Sequence, residues 1–136
     1  MDQATQSLGL KVRLKSDYAT AKTQVLDVLK DEGFGVNTEV NIKASMKRKL
    51  NIDFREYTIL GVCTSTLAQR ALTTVPDVGL FLPCNVTISE VAGEDAIEVV
   101  CINMRKLKTL FNSEKFDAFA EEAHAKFVRV VAALEE

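Results

Sequence analysis

Apolar and polar residues alternate along residues 8–14, LGLKVRL, with Leu8, Leu10, Val12 and Leu14 on one side. A period of two marks a strand with one buried face. From Asp17 the period lengthens, and Tyr18, Ala21, Val25, Val28 and Leu29 fall on one face of a helix over 17–32. Ser16 or Asp17 supplies its N-cap, and Gly33 ends it as a C′ residue. Alternation returns at 34–41, FGVNTEVN, where Phe34, Val36, Thr38 and Val40 are expected to share a face. A short helix over 42–50 follows, rich in helix formers, with Asn51 and Asp53 in the loop after it.

Residues 57–62, YTILGV, are β-branched and apolar and predict a third strand. The next helix, 65–73, is entered either through Thr64 as cap or through a Thr66–Gln69 capping box, and both stay open here. Pro76, Gly79 and Pro83 punctuate a loop that carries VGLFL. Strands at 84–91 and 96–103 are joined by the turn AGED. Segment 104–111 predicts a helical turn, and a long helix runs over about 114–134. Its stripe is Phe116, Phe119, Ala120, Ala123, Phe127, Val130, Val131 and Leu134.

This order predicts an α+β fold, a mainly antiparallel sheet covered on one face by two long helices. No repeat, low-complexity tract or linker interrupts it, so residues 1–136 are expected to form a single domain. The other sheet face then needs solvent, a ligand or a second subunit.

Composition narrows the classes. The 136 residues are 47% hydrophobic and 26% charged, as in a soluble protein with its own core. A formal net charge of -2 speaks against nucleic-acid binding. No apolar run reaches the ~18 residues that span a bilayer. The opening residues, MDQATQSLGLKVRL, lack an export pattern. With three widely spaced cysteines, reduced thiols and a cytoplasmic location are expected.

The stretch GFGVNTEVNIKASMKRKLNIDFREYTILGVCTSTLAQRAL, followed by VGLFLPCNVTISE, resembles the domain of unknown function 302 family. The match is dense over about 33–91. The resemblance implies a TATA-binding-protein-like fold, often found as a homodimer, and no established activity. Lys43, Cys63 and Cys84 match family positions, and Asn85 stands in the matching PCNV motif. Where relatives carry Asn-Pro after the first cysteine, this chain has Thr64-Ser65. Where they often carry Asp-Pro after the last strand, it has Asn103-Met104.

Candidate chemistry centres on Cys63, where a strand becomes a helix. A helix N-terminus stabilises a thiolate, yet a free cysteine is also a small buried hydrophobe. Parity places Cys84 and Cys101 on one apolar face of the hairpin, with Val86, Ile88, Ile97 and Val99, provided the loop holds an even number of residues. The cysteines lack the close ligand pairs of zinc sites, so no metal is expected, and no cofactor. His124, the single histidine, borders the apolar stripe and is expected to be partly buried without a catalytic role. Lys43, Lys47, Arg48 and Lys49 read as a solvated basic face in which Glu39 pairs with Lys43. The carboxylates show no acid–base pair.

The resulting expectation is a non-enzymatic homodimeric binding module for a small molecule, with Cys63, Cys84, Lys43 and Asn85 as candidate ligand contacts. It needs neither nucleic acid nor membrane. The alternative is a thiol-dependent redox protein or sensor using Cys63 with Cys84.

Overall fold

The computed structural model describes residues 7–135. Residues 1–6, part of the segment read for an export signal, lie outside them. The strands are β1 (Gly9–Leu14), β2 (Gly35–Asn41), β3 (Tyr57–Cys63), β4 (Cys84–Glu90) and β5 (Ile97–Ile102). The helices are α1 (Tyr18–Asp31), α2 (Ile42–Leu50), α3 (Ser65–Thr74), α4 (Met104–Phe111) and α5 (Glu114–Glu135), with a 3-10 turn at Pro76–Phe81. All five strands join one antiparallel sheet in the order β1-β5-β4-β3-β2.

Register separates the two faces. One transverse row runs Leu10, Cys101, Val86, Leu60 and Glu39, and the next on that face runs Val12, Val99, Ile88, Thr58 and Asn41. From Leu10 to Leu60, and from Val12 to Thr58, these rows are buried. The row between them points the other way: Lys11, Val100, Thr87, Ile59 and Val40, directly opposite one another across five strands. Here Val100, Thr87 and Ile59 are half-buried and Val40 is exposed.

Helices α1 and α5 cover the first face. Asp17 caps α1, accepting the Thr20 N–H at 2.8 Å. Gly33, with φ of 84°, closes the helix: its N–H reaches Lys30 O, and the Phe34 N–H reaches Leu29 O. Ala21, Val25 and Leu29 are buried beneath α1. The Tyr18 hydroxyl bonds the Thr58 hydroxyl and donates to Ile88 O at 3.0 Å, joining the helix to two strands. In α5 the predicted stripe is buried except for Val131, which is half-buried. Each buried Phe, Val or Leu of this stripe stabilises the fold by roughly 1.5–3 kcal/mol.

Three expectations are corrected. Register shifts between Val36 and Thr38, so one extra residue turns the strand over. Phe34 and Val36 therefore face the helices, and Thr38 and Val40 the opposite side. Glu39 pairs with Lys22 of α1 rather than with Lys43, which lies 3.8 Å from Glu56. The expected VGLFL loop is largely the 3-10 turn, which buries Val78 but leaves Leu80 83% exposed.

The hairpin parity holds. Four residues, 92–95, separate the Val91–Ala96 pair, whose backbone bond measures 3.0 Å. Cys84 and Cys101 share the buried face. They do not oppose each other, because Cys101 pairs with Val86.

Candidate functional site

The last residue of β3 and the first of β4 bring two thiols to one end of the sheet. Val62 pairs with Cys84, so Cys63 lies one step beyond that pair. The chain then turns at Thr64 into α3, where the Ala68 N–H donates to Thr64 O at 2.9 Å. Thr64 is the N-cap by position, yet its side chain makes no capping bond. The Thr66–Gln69 box does not form the cap either; Gln69 Nε2 turns to Thr73 Oγ1, at 3.3 Å. Instead Thr64 is 8% exposed, and its hydroxyl is buried without a hydrogen-bond partner.

That hydroxyl belongs to a small cleft lined also by Phe34, Cys63, Leu67, Cys84 and Phe119, with a volume of about 10 Å³. This is room for about one water-sized sphere, against the ~300–1,000 Å³ of organic ligand pockets. An organic molecule does not fit there without movement. Larger hollows of about 300 Å³ and 440 Å³ lie between α3 and α5 and beside the β4–β5 turn, and neither touches a cysteine.

The electrostatics oppose spontaneous thiolate formation. Burial pushes the half-buried Cys63 thiol up. Cys84 is pushed up to about 12 by burial, with Cys63 adding to the shift. Burial alone takes Cys101 to about 12. All three thiols are free. Cys63 Sγ lies 3.6 Å from Thr64 O, and Cys84 Sγ lies 3.7 Å from the sulfur of Met104. Met104 opens α4 and is buried.

The other expected contacts lie elsewhere. Lys43 sits on α2 beside Glu56, its side chain 51% exposed. Asn85 is exposed on β4, opposite Gly61 and on the sheet face away from α1 and α5. Neither lines the cysteine cleft. Among the described residues, no three His, Cys, Asp or Glu side chains gather as a metal site.

Two features went unread in the sequence. One is the orphan hydroxyl of Thr64, which looked like a helix cap. The other is the cluster around His124, which is 5% exposed with Nδ1 buried and unpartnered. Arg105 grips Glu121 through Nε at 3.0 Å and Nη2 at 2.9 Å, and Lys108 adds a third contact at 3.0 Å. These bonds hold the Glu121 carboxyl at about 2. The His124 pKa falls, first through burial and then through Arg105. The spacing of Arg105 and Lys108, one turn apart on α4, was the available signal.

The architecture defines a class: an α+β protein with a five-stranded antiparallel sheet, helices packed on it and free thiols on its three inner strands. Residues 10–134 match the family model for the Domain of unknown function DUF302, and the chain belongs to that family. It is also similar in fold to the crystal structure of an uncharacterized conserved DUF302 protein from Bacillus stearothermophilus. The TM-score is 0.81 at 24% identity, over 94% of this chain and 96% of that one. No curated protein matches the sequence. No helix among the described residues is long and apolar enough to cross a membrane.

Proposed function

We propose that the protein is a non-enzymatic, homodimeric, cytoplasmic module that binds a small ligand between Cys63 and Cys84. The observation that carries the binding reading is the Thr64 hydroxyl, buried and without a partner at a cleft that Cys63 and Cys84 also line. A buried polar group left unpaired costs about 1–3 kcal/mol, so a resident partner for it is favoured. The cleft limits the ligand to something near atomic size.

The row Val100, Thr87, Ile59 and Val40 supports the dimer, because a second copy would bury its apolar atoms. A redox role is less well supported, because burial stabilises the protonated thiols.

Native mass spectrometry of protein isolated from cells tests the ligand, with sedimentation testing the assembly. The expected result is a dimer carrying a bound small species that is lost in Thr64→Val. A monomer with no added mass at any concentration would end this reading. Replacing Ile59 with Lys is expected to give monomers, and a dimer that survives it would move the interface elsewhere.

A further inference from the structure

We propose that the turn closing α2 rests on an anionic lipid surface, with Leu50 and Ile52 entering below the headgroups and the cations around them meeting headgroup phosphate and carboxylate. The inference goes beyond the cysteine cleft and uses none of its residues.

The geometry isolates this turn. Helix α2 starts where β2 ends, and the chain re-enters the sheet at Tyr57. Asn41 pairs with Thr58, so the two ends of the excursion adjoin. The returning segment runs back along the helix: Lys43 lies 3.8 Å from Glu56, and Lys47 lies 3.4 Å from Asp53. Residues 50–52 are therefore its far end, where Asn51 turns the chain with a φ of 54°. Helix α2 buries none of its residues. At the turn, Leu50 is 62% exposed and Ile52 45%.

Charge gathers at the same end. The last turn of α2 carries Lys47, Arg48 and Lys49. Successive helical residues point about 100° apart, so these three and Leu50 project to four sides. Arg48 and Lys49 make no ion pair with any described residue. Arg55 lies over the rings of Phe54 and Tyr57, 4.9 Å and 5.4 Å from their centroids. Residues 42–56 hold five cations and two carboxylates, a charge of +3 in a chain of net charge -2. The net charge thus averages a basic projection with an acidic remainder.

The chemistry selects lipid. Segments that lie in a membrane interface combine aliphatic side chains at the headgroup–acyl boundary with Lys and Arg beside anionic headgroups. A nucleic-acid backbone would use the cations and leave Leu50 and Ile52 in water. Residues 47–52 also offer no aromatic ring on which a base could stack. The hollows beside the β4–β5 turn and between α3 and α5 contain no α2 residue, and neither does the cysteine cleft. Crossing a bilayer is a separate matter, for which no described helix is long and apolar enough; α2 has only to lie against one.

Co-sedimentation of the whole chain with phosphatidylserine-containing vesicles tests the surface. Binding is expected at about 10³–10⁴ M⁻¹ of lipid, as for a single anchoring signal, and should fade as salt rises from about 0.05 M to about 0.5 M. Phosphatidylcholine vesicles should retain little. Each Lys or Arg near an anionic leaflet contributes about fivefold, so Arg48→Gln with Lys49→Gln should cost about 25-fold. Leu50→Ser with Ile52→Ser should cost at least about 10-fold. Leu80→Ser should bind as the native chain does, because Leu80 is 83% exposed but sits in the 3-10 turn. All the substituted side chains are exposed, so unfolding midpoints should hold, and circular dichroism checks them.

No retention on phosphatidylserine vesicles at low salt overturns the proposal, as does equal retention on phosphatidylcholine. An equal loss in Leu80→Ser would mean general hydrophobic adhesion and overturn it too. Retention untouched by Leu50→Ser with Ile52→Ser, or binding to single-stranded RNA that the vesicles fail to displace, would make the projection a polyanion contact and end the lipid assignment.

Discussion

Phe34 and Phe127 stack with ring centroids 4.6 Å apart and planes 13° from parallel. Phe34 follows the glycine that closes α1 and precedes β2, whereas Phe127 sits in the middle of α5. The pair therefore ties the exposed β2 edge and the end of α1 to the long helix. Phe127→Ala should lower unfolding stability by about 3–5 kcal/mol. Urea denaturation measures this, and a loss under about 1 kcal/mol would contradict the packing role.

Gly61 lies where no side chain fits. A Cβ there would meet Thr38 Oγ1 and the Pro83 ring, whereas one at Gly79 would meet only Leu72, in ordinary contact at 3.6 Å. Gly61→Ala should cost about 1–3 kcal/mol through overpacking. Gly79→Ala should be close to neutral. Equal unfolding midpoints for the two variants would refute the close approach of Pro83 to β3.

His124 makes the fold acid-sensitive. Its pKa is depressed in the folded state, so the unfolded chain takes up the proton first as pH falls. Stability is then lost from the ordinary value of 6.5 downward, until the folded-state pKa is passed. The charged groups around it are Arg105, Lys108 and Glu121; the two cations oppose protonation and Glu121 favours it. Denaturation midpoints followed from pH 7.5 to 5 should fall for the native chain and stay flatter for His124→Gln. Parallel curves would assign the acid loss to other groups.

Glu121 acts over a lower range with the same sign. Its carboxyl, held down at about 2 from an ordinary 4.5, favours the folded state above 4.5 and loses that contribution as pH falls toward 2. The side chain is 40% exposed, so solvent screening keeps the effect near the ~0–1 kcal/mol of surface pairs. Glu121→Gln should barely change stability at pH 7 and should reduce the loss below pH 4.5. Salt titration of the native chain checks the cause, because screening should mimic the substitution.

Thiol chemistry follows burial. Cys63 should alkylate slowly, with a midpoint above its ordinary value of 9.0. Cys84 and Cys101 should react only on unfolding. Mass-resolved iodoacetamide labelling against pH separates the three, and a Cys63 midpoint below about 8 would restore the case for an activated thiol.

Much of the fold was legible locally. Helix α2 falls on its expected boundaries, and α1, α5 and the hairpin strands come within a residue or two of theirs. Such elements follow from amphipathic period, caps and turn residues, all carried by neighbours in the chain. The shared face of Cys84 and Cys101 was legible too, because parity along a hairpin is a local count. The turnover of β2 was not, since nothing in FGVNTEVN marks the extra residue that separates Val36 from Val40. Lys43 and Asn85 matched a motif, but side-chain direction and sheet position keep them out of the cysteine cleft.

By itself, the sequence determined which segments are strands and helices and which stripe of each seeks the core, since those depend on the period of apolar residues. Tertiary structure decided what no local period contains: that Thr64 leaves its hydroxyl in a cleft, that Cys84 comes beside Met104, and that α4 delivers Arg105 and Lys108 to Glu121. These are meetings of residues distant in the chain, produced only when strands pair and helices close over them. The chemistry of the site resides in those meetings.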